Sequence, residues 1–426
     1  MKCRHCACPL ELPFLDLGSA PPSNAYLTAA TLGAPEVWYP LRVLVCHQCW
    51  LVQTEDHAGR DALFGADYAY FSSFSDSWLA HAESFVEAMT RRFSLGARSL
   101  VVEIAANDGY LLQYVQRRGV PCYGVEPTAS TAAAARAKGL TIVERFFGAA
   151  LAQELSLQGG QADLLVANNV LAHVPDINDF VAGVAQLLKP KGVATFEFPH
   201  LLTMVQGCQF DTVYHEHYSY LSFSTARRIL QANGLVVFDV QSLPTHGGSL
   251  RVFAQRADTG EHPVRASAAR MLAQEQRAGV NTPAFYQGFQ AQAVRIKNGL
   301  LSFLLEATRE RLTVAAYGAA AKGNTLLNFA GVRQDLLAYV VDRNPSKQGK
   351  FLPGSRIPIV DPAYLTAHRP DRVLILPWNL KTEVMAQLHC IHAWGGQFVT
   401  AVPRIEVAGP VLPERATCSG VNGCGP

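Results

Sequence analysis

Two distant stretches of the chain repeat one pattern, a short apolar strand followed by a loop of small residues and then a helix. The first comprises residues 99–105, the loop 106–109 and a helix over 110–118; the second comprises residues 313–317, the loop 318–323 and a helix from 324. Such apolar runs alternating with helices predict buried parallel strands of α/β domains. Because 426 residues exceed what one core organises, each pattern is expected to open a separate Rossmann-like domain.

Two Cys-x-x-Cys pairs precede the first pattern, at Cys3 and Cys6 and at Cys46 and Cys49. Each turn lets two thiolates reach one ion, and two turns complete a tetrahedral site with no position open for water. The spacing therefore predicts structural Zn²⁺. Disulfides or a redox pair are the alternatives, and the lack of an apolar export signal at the N terminus disfavours stable disulfides. Three possible substitute ligands lie nearby: Cys8, His5 and His47.

Composition restricts the class of partner. Apolar residues make up 49% of the chain and charged residues 16%, with a net charge of +2, as expected of a globular enzyme. The basic residues are scattered, so no nucleic-acid partner is predicted. No uninterrupted apolar run of about 18 residues occurs, so no membrane span is predicted, and we expect a cytoplasmic protein.

The first loop predicts a ligand without phosphate groups. It lacks the spaced glycines that place a pyrophosphate on a helix N terminus. The next strand, residues 122–125, ends in Glu126, and a carboxylate at that position can bind ribose hydroxyls. S-adenosylmethionine is the predicted ligand, because it needs close approach of the backbone and a carboxylate for its ribose but no anion cradle. A carboxylate that merely caps the strand is the alternative.

The second loop differs in composition from the first. Residues 318–323 are rich in alanine, and the strand that follows the helix ends in Asp342. Lys322, with Lys347 or Lys350, would suit a diphosphate. A nicotinamide cofactor fits the layout less well, because the glycines are not spaced as that ligand requires. A purely structural domain is the other alternative.

Residues 214–220 read Tyr-His-Glu-His-Tyr-Ser-Tyr, a crowding of titratable side chains that predicts acid/base chemistry. A turn could bring a carboxylate, an imidazole and phenols to one substrate, whereas a half-buried polar strand would give the same composition without function. A polar-aromatic stretch at residues 67–75 is a candidate substrate wall or simply linker packing.

These motifs, taken in order, resemble the three-domain sugar C-methyltransferases that act on nucleotide-linked deoxysugars and carry an N-terminal zinc domain. The resemblance rests on the paired cysteines and on residues 103–109, 124–127, 168–176, 214–220, 246–251 and 318–324. It implies S-adenosylmethionine-dependent methylation, at C3, of a thymidine-diphospho (TDP) 4-keto-6-deoxy or 4-keto-2,6-dideoxy hexose. The fold class is then α/β with a zinc-binding module (1–65), a central Rossmann-like methyltransferase domain (66–260), a helical bridge (261–308), a C-terminal Rossmann-like domain that helps to hold the nucleotide-sugar (309–406) and a flexible tail (407–426).

Methylation beside a ketone suggests roles for the titratable residues. The departing proton is acidic only if the enolate is stabilised, so the site needs a base and hydrogen-bond donors at the carbonyl oxygen. His217 is the predicted base, Glu216 is expected to orient its imidazole, and His215 is the alternative base. The groups expected to hold the ketone or enolate oxygen are Tyr214 and His173, with Tyr68 or Tyr70.

The resemblance also implies the ligand-binding residues. The cofactor is expected at Glu103, Ala105, Asn107, Gly109, Tyr110, Glu126, Pro127, Asn168 and Asn169. The nucleotide-sugar is expected at His246, Gly247, Ser249, Arg251, Lys322, Asn324 and Lys347. Zinc is expected at Cys3, Cys6, Cys46 and Cys49.

Two other classes of function stay open at this point. An O- or N-methyltransferase acting on a small metabolite would use the same cofactor but would need no base beside a ketone. A zinc-stabilised NAD-dependent oxidoreductase, or a non-catalytic nucleotide-sugar binding protein, would share the domain layout. The dense His/Glu/Tyr segment favours C-methylation, and the missing phosphate-binding glycines disfavour the oxidoreductase.

Overall fold

The computed structural model describes residues 1–57, 59 and 71–409. The N-terminal part forms an antiparallel sheet from β1 (Leu12–Ala20), β2 (Tyr39–Val45) and β3 (Val52–Thr54). The fourth strand of this sheet is β9 (Ser219–Tyr220), which pairs with β3 from the middle of the chain. The sheet of the zinc-binding module is therefore completed by the end of the segment 214–220, called the His/Tyr segment below.

The central domain is built on a mixed sheet with helices around it. Its strands are β4 (Val101–Ile104), β5 (Cys122–Val125), β6 (Ile142–Val143), β7 (Ala162–Asn168), β8 (Leu188–Pro199), β10 (Leu235–Leu243) and β11 (Ser249–Arg256). Its helices are α1 (Asp76–Phe93), α2 (Leu112–Arg117), α3 (Ala129–Ala137), α4 (Ala149–Leu157), α5 (Ile177–Leu187), α6 (Leu201–Gln206) and α7 (Phe223–Ala232). The strand order is β10-β11-β8-β7-β4-β5-β6, with β4 to β8 parallel and β11 antiparallel to both neighbours. The chain turns in opposite directions on the two sides of β4, and ligands bind at the carboxyl ends of strands at such a switch point.

A helical region connects the central domain to the C-terminal domain. It comprises α8 (Ala266–Ala278), α9 (Pro283–Tyr286) and α10 (Phe289–Arg309). The first helix ends because Gly279 adopts a left-handed conformation, with φ of 79°. The predicted bridge is thus helical but interrupted.

The C-terminal domain contains the second α/β sheet. Its strands are β12 (Val314–Tyr317), β13 (Val340–Val341), β14 (Ile359–Val360), β15 (Arg372–Ile375), β16 (Gln397–Thr400) and β17 (Glu406–Ala408). Its helices are α11 (Ala321–Ala330), α12 (Ala363–His368) and α13 (Lys381–Gln387). The order is β14-β13-β12-β15-β16-β17, parallel except for β17. The strands predicted over 99–105 and 313–317 are confirmed as β4 and β12.

One hydrophobic core joins the first domain to the last. It contains buried residues of β1 and β2, of α10 and of α11. Phe14 of β1 stacks on Phe289 of α10, with ring centroids 4.5 Å apart. This shared core joins the zinc-binding module to the C-terminal domain, and it also includes central-domain residues such as Met204 and Phe210. In the described part of the chain, no helix is both long and apolar enough to cross a membrane.

Candidate active site

A cavity of about 360 Å³ lies where the three domains meet. Its wall takes Asn24 from the zinc-binding module and Lys322 and Lys347 from the C-terminal domain. The central domain contributes the loops after β4, β5 and β7, together with part of the His/Tyr segment. Two nucleotide-type loops, one from each α/β sheet, therefore open into the same space.

The loop after β4 approaches the cavity with its backbone in an unusual conformation. Ala105 and Asn107 line the cavity and have φ of 58° and 50°. The Asn107 N–H donates to Glu126 Oε2 at 2.9 Å, and the Thr128 N–H donates to Glu126 Oε1 at 2.9 Å. Glu126, Pro127 and Thr128 also face the cavity, and burial raises the pKa of the Glu126 carboxyl. The expected ribose-binding carboxylate thus stands at the cavity wall.

The end of β7 adds amide groups to the same wall. Asn168 and Asn169 line the cavity. Asn168 Oδ1 and Asn169 Nδ2 are buried, and neither has a hydrogen-bond partner within the described residues. A ligand with hydroxyl, amino and carboxylate groups would satisfy them. These amides and the Glu126 carboxylate fit S-adenosylmethionine, which the loops after β4, β5 and β7 would hold.

Two of the expected cofactor residues lie behind the wall. Glu103 is buried in β4, hydrogen-bonds Tyr110, and has a pKa raised well above its usual value by burial. Gly109 has φ of 76°, and a Cβ there would clash with the Leu140 side chain. Tyr110 itself lines the cavity. Glu103 and Gly109 therefore shape the loop and are not among the residues that line the cavity.

His217 lines the cavity in a defined tautomer. Its Nδ1 lies 2.9 Å from the Thr212 carbonyl oxygen, which can only accept, so Nδ1 carries the proton and Nε2 carries the lone pair. Its ring lies over Tyr214, with centroids 3.9 Å apart. Burial lowers the pKa of His217 well below its usual value, and neighbouring positive charge, including that of Lys322, lowers it further. His217 is therefore neutral at pH 7 and can accept a proton at Nε2.

The side chains of Glu216, the predicted orienting residue, and His215, the alternative base, contact the zinc-binding module. The Glu216 carboxyl accepts a hydrogen bond from Asn24 Nδ2 at 3.1 Å, and burial raises its pKa. The expected contact in which Glu216 orients His217 is therefore wrong, because the Thr212 carbonyl occupies that position. His215 Nε2 lies 3.2 Å from the Tyr39 carbonyl oxygen in the zinc-binding module. Of the two candidate bases, the cavity receives His217.

His173 and Tyr214 complete the group around His217. Both line the cavity, and the rings of His173 and His217 are 4.6 Å apart. His173 Nδ1 donates to the Glu216 carbonyl oxygen at 2.9 Å, and burial lowers the pKa of His173 to about 4. In this neutral tautomer Nε2 accepts hydrogen bonds, so the structure does not support His173 as a donor to a ketone oxygen. Tyr68 and Tyr70 lie outside the described residues.

The expected substrate residues divide into two groups. His246, Lys322 and Lys347 line the cavity. Burial lowers the pKa of His246 to about 4. Lys322 Nζ donates to Asn379 Oδ1 at 2.7 Å and lies 4.7 Å from the centroid of the Trp378 ring. These residues give one side of the cavity a cationic and imidazole-rich surface.

The remaining predicted substrate residues support that surface from behind. Arg251 forms an ion pair with the buried Glu197 at 2.6 Å, so its charge is already compensated inside the protein. Ser249 Oγ donates to the Thr245 carbonyl oxygen at 2.9 Å, and the Gly247 carbonyl oxygen accepts from Gln209 at 2.8 Å. Asn324 is 1% exposed, in the first turns of α11. Direct substrate contact by these four residues was expected, but none of the four lines the cavity.

Sequence reasoning missed several lining residues. Trp78 of α1 lines the cavity between a predicted cofactor residue, Tyr110, and a predicted substrate residue, His246. The centroid of its ring lies 5.9 Å from that of Tyr110 and 4.9 Å from that of His246. Its helix starts at a cap in which Ser75 Oγ accepts from the Trp78 N–H at 3.3 Å. Asn24 was missed because its domain carried no motif except the cysteines. Only the Ser75 cap was visible in the sequence, and it predicts a helix start rather than a site.

The four predicted zinc ligands form one cluster. The Sγ atoms of Cys3, Cys6, Cys46 and Cys49 lie within 4.8 Å of one another. The distance from Cys3 to Cys49 is 3.5 Å and that from Cys6 to Cys46 is 3.4 Å, close to the spacing of sulfurs around tetrahedral zinc. Among the described residues, the cluster that could hold a metal ion consists of these four cysteines, without Cys8, His5 or His47. His5 Nδ1 lies 2.8 Å from Asn178 Oδ1 instead. The donor set fits a closed structural Zn²⁺ site.

Comparison with known proteins agrees with this arrangement. Family models match three successive regions: a zinc binding domain at residues 3–64, a methyltransferase domain at 78–240 and a C-methyltransferase C-terminal domain at 244–403. A curated relative, C-methyltransferase NovU from Streptomyces niveus, is 34% identical over 406 residues, which cover 95% of this chain and 96% of the relative.

Solved structures resemble part of the chain. Magnesium protoporphyrin IX methyltransferase from Synechocystis PCC 6803 with bound SAM is 19% identical, with a TM-score of 0.32, and the match covers 42% of this chain and 82% of that one. The PH0226 protein from Pyrococcus horikoshii OT3 is 12% identical, with a TM-score of 0.37 and coverage of 44% and 95%.

The fold and site define an S-adenosylmethionine-dependent methyltransferase with a zinc-binding N-terminal domain. Within that class, the chain belongs to the family of C-methyltransferases that includes NovU, and it is a C-methyltransferase.

Proposed function

We propose that this enzyme methylates C3 of a TDP-linked 4-keto-6-deoxy or 4-keto-2,6-dideoxy hexose through an enolate. The observation that carries the proposal is the tautomer and position of His217. Its Nδ1–H is held by the Thr212 carbonyl, so Nε2 carries the lone pair of a neutral, buried ring that lines the cavity. A neutral imidazole in an active-site cavity is suited to remove a proton next to a ketone.

The residues around His217 fit the other needs of this chemistry. The bound cofactor supplies an electrophilic methyl group to the carbanion. His217 Nε2 takes the C3 proton, and the imidazolium that forms keeps its orientation through Thr212. The Tyr214 phenol lies beside His217 and is proposed to donate to the enolate oxygen. His173, with its proton on Nδ1, is proposed to accept from a sugar hydroxyl instead.

The nucleotide part of the substrate is proposed to lie against the C-terminal domain. Lys322 and Lys347 face the cavity there, at and beside the start of α11. Two ammonium groups and the positive end of a helix favour a diphosphate. The loop after β4 contributes no lysine or arginine to the described cavity lining, and Glu126 faces the cavity beside it. A zinc site of four thiolates needs reduced cysteines, which supports a cytoplasmic location.

The proposal is tested by following two events on a TDP-linked 4-keto-deoxyhexose. Mass spectrometry of the sugar in the presence of S-adenosylmethionine is expected to show the gain of one methylene and to locate it at C3. In D₂O without the cofactor, the wild-type enzyme is expected to exchange the C3 proton. His217→Asn should lose both exchange and methylation while keeping its affinity for S-adenosylhomocysteine.

Three outcomes would contradict the proposal in different ways. Methyl transfer to oxygen or nitrogen without exchange at C3 would indicate an O- or N-methyltransferase. Exchange that survives in His217→Asn but is lost in His215→Asn would move the base to His215. Methylation of no TDP-linked ketosugar, with the cofactor still bound, would reject the substrate class.

A further inference from the structure

We infer that Thr54 and Arg4 are positioning residues through which the zinc-binding module holds the catalytic base, His217, in place. The inference rests on the proposed role of His217. It adds a function for the zinc-binding module, whose cysteines lie outside the cavity and whose metal site has no open position for a substrate.

Thr54 makes the direct contact. Its Oγ1 donates to the carbonyl oxygen of His217 at 3.0 Å, and its N–H donates to the carbonyl oxygen of Tyr218 at 3.2 Å. Thr54 ends β3, and the residues just before it pair with β9, with Gln53 opposite Ser219. The main chain of the base is therefore attached to the edge of the zinc-binding module by a strand pairing and by one buried side-chain hydroxyl.

Arg4 connects Thr54 to the metal ligands. It lies in the first knuckle, between Cys3 and Cys6, and its side chain is 7% exposed. Its Nη1 donates to the Thr54 carbonyl oxygen at 3.0 Å, and its guanidinium lies 5.1 Å from the centroid of the Tyr218 ring. The fold of the knuckle thus fixes a side chain that contacts Thr54 and also Tyr218, the residue that follows the base.

Gln53 makes a second connection from the same knuckle. Its Nε2 donates to Cys3 Sγ at 3.3 Å, and its Oε1 accepts from the Arg4 N–H at 2.9 Å. The Cys3 sulfur, Arg4 and β3 are therefore joined by short polar contacts in the protein interior. Release of the metal would free the knuckle that orients Arg4.

The opposite side of the segment is held by the central domain. The Tyr218 N–H donates to the Ala172 carbonyl oxygen at 2.8 Å, and His173 donates to the Glu216 carbonyl oxygen at 2.9 Å. His217 is therefore clamped between two domains. Loss of one clamp should let the base shift, and a displacement of about 1 Å can cost about a hundredfold in rate.

Thr54→Val tests this inference, because it keeps the shape of the side chain and removes the hydroxyl. The expected result is a fall of about tenfold to a hundredfold in kcat and in the D₂O exchange rate. Zinc content, affinity for S-adenosylhomocysteine and KM for the ketosugar should change less than about twofold. Arg4→Lys, which keeps the charge but not the planar fork, should give a smaller loss of the same kind.

Thr225→Val is the matched control. Thr225 Oγ1 donates to the Cys49 carbonyl oxygen at 3.2 Å, so its hydroxyl also joins the two domains but ends at the metal site instead of the base. It should leave kcat near the wild-type value. A second readout is the ¹⁵N spectrum of the His217 ring, in which Thr54→Val should reduce the preference for the Nδ1–H tautomer and Thr225→Val should not.

Several outcomes would overturn the inference. These are an unchanged kcat and ring spectrum in Thr54→Val, an equal loss in Thr225→Val, or a loss of rate that appears only together with loss of zinc or of cofactor affinity. Failure of the proposed function is distinguishable, since it would appear as full exchange in His217→Asn, a variant that leaves Thr54 and Arg4 intact.

Discussion

The loop after β4 and the loop after β12 share a topology but present opposite charge to one cavity. Each follows the strand at a switch point of a parallel sheet and leads to a helix. Beside the first loop, Glu126 ends the neighbouring strand and faces the cavity. Asp342 ends the corresponding strand beside the second loop, and both carboxylates accept two backbone N–H groups from their own surroundings. Asp342 does not line the cavity, however; its carboxylate lies 3.8 Å from Lys347 Nζ, and the cavity receives Lys322 and Lys347 instead.

We expect the ligand to depend on which group faces the cavity, the strand-end carboxylate or lysine side chains. A carboxylate left at the wall suits ribose hydroxyls and a cofactor with a net positive reacting group. Lysines at the wall, with the carboxylate outside the cavity lining, suit an anion. We therefore expect the two similar folds to divide the two substrates of one reaction between them, and the predictions below test this division and the loops on which it depends.

The largest effect is expected from Glu126→Ala. This change removes the ribose-binding carboxylate and the two backbone contacts that hold the loop. The affinity for S-adenosylhomocysteine should fall about a hundredfold, or about 3 kcal/mol, measured by calorimetry. Affinity for TDP should stay near the wild-type value. Asp342→Asn is the mirror variant, and a loss of cofactor affinity in Asp342→Asn equal to that in Glu126→Ala would break the comparison.

The next effect is on stability and concerns the close packing of the first loop. Gly109 and Gly119 both have positive φ, of 76° and 67°, but a Cβ meets the Leu140 side chain only at Gly109. Gly119→Ala should lower the free energy of unfolding by about 1 kcal/mol, because alanine is disfavoured at positive φ. Gly109→Ala should lower the free energy of unfolding by about 2 kcal/mol more, because its Cβ would overpack against Leu140. Both values can be measured by denaturant unfolding. Equal costs would show that the loop does not depend on this contact.

Lys322→Gln should weaken TDP binding about tenfold and leave S-adenosylhomocysteine binding unchanged, because a charge-assisted contact to the diphosphate is lost. Raising the salt concentration should reduce the difference between wild type and variant. Lys297→Gln is the matched control. Lys297 also lies over an aromatic ring, 4.9 Å from the centroid of Phe329, as Lys322 lies over Trp378. Lys297 belongs to α10, however, and does not line the cavity. Equal losses in both variants would remove the second loop from the nucleotide site.

The sequence predicts the parts of this molecule that depend on local pattern. The four zinc ligands, β4 and β12 were identified because turn spacing and apolar runs determine them over a few residues. The placement of Glu126 at the cavity follows from the rule that ligands bind at the carboxyl ends of parallel strands.

Contacts between segments far apart in the chain could not be predicted from the sequence. The pairing of β9 with β3 and the ion pair of Arg251 with Glu197 join residues far apart in the chain. Sequence spacing therefore could not show that Glu197 compensates the charge of Arg251. Nor could it show that the Thr212 carbonyl, and not Glu216, accepts the hydrogen bond from His217 Nδ1. Trp78 and Asn24 were missed for the same reason, because only the assembled domains bring them to the cavity.

The smallest effect concerns how each loop influences the base between them. Burial is the main cause of the lowered pKa of His217, and the charge of Lys322 adds to it. Because His217 must be neutral to accept a proton, kcat/KM should be lost on the acid side only below the ordinary histidine pKa of about 6.5. Lys322→Gln removes one positive charge, so its acid limb should move to higher pH, whereas Glu126→Gln should leave the limb in place. An acid limb that moves equally in both variants, or in neither, would show that the cationic loop does not act on the base and that its charge serves the nucleotide alone.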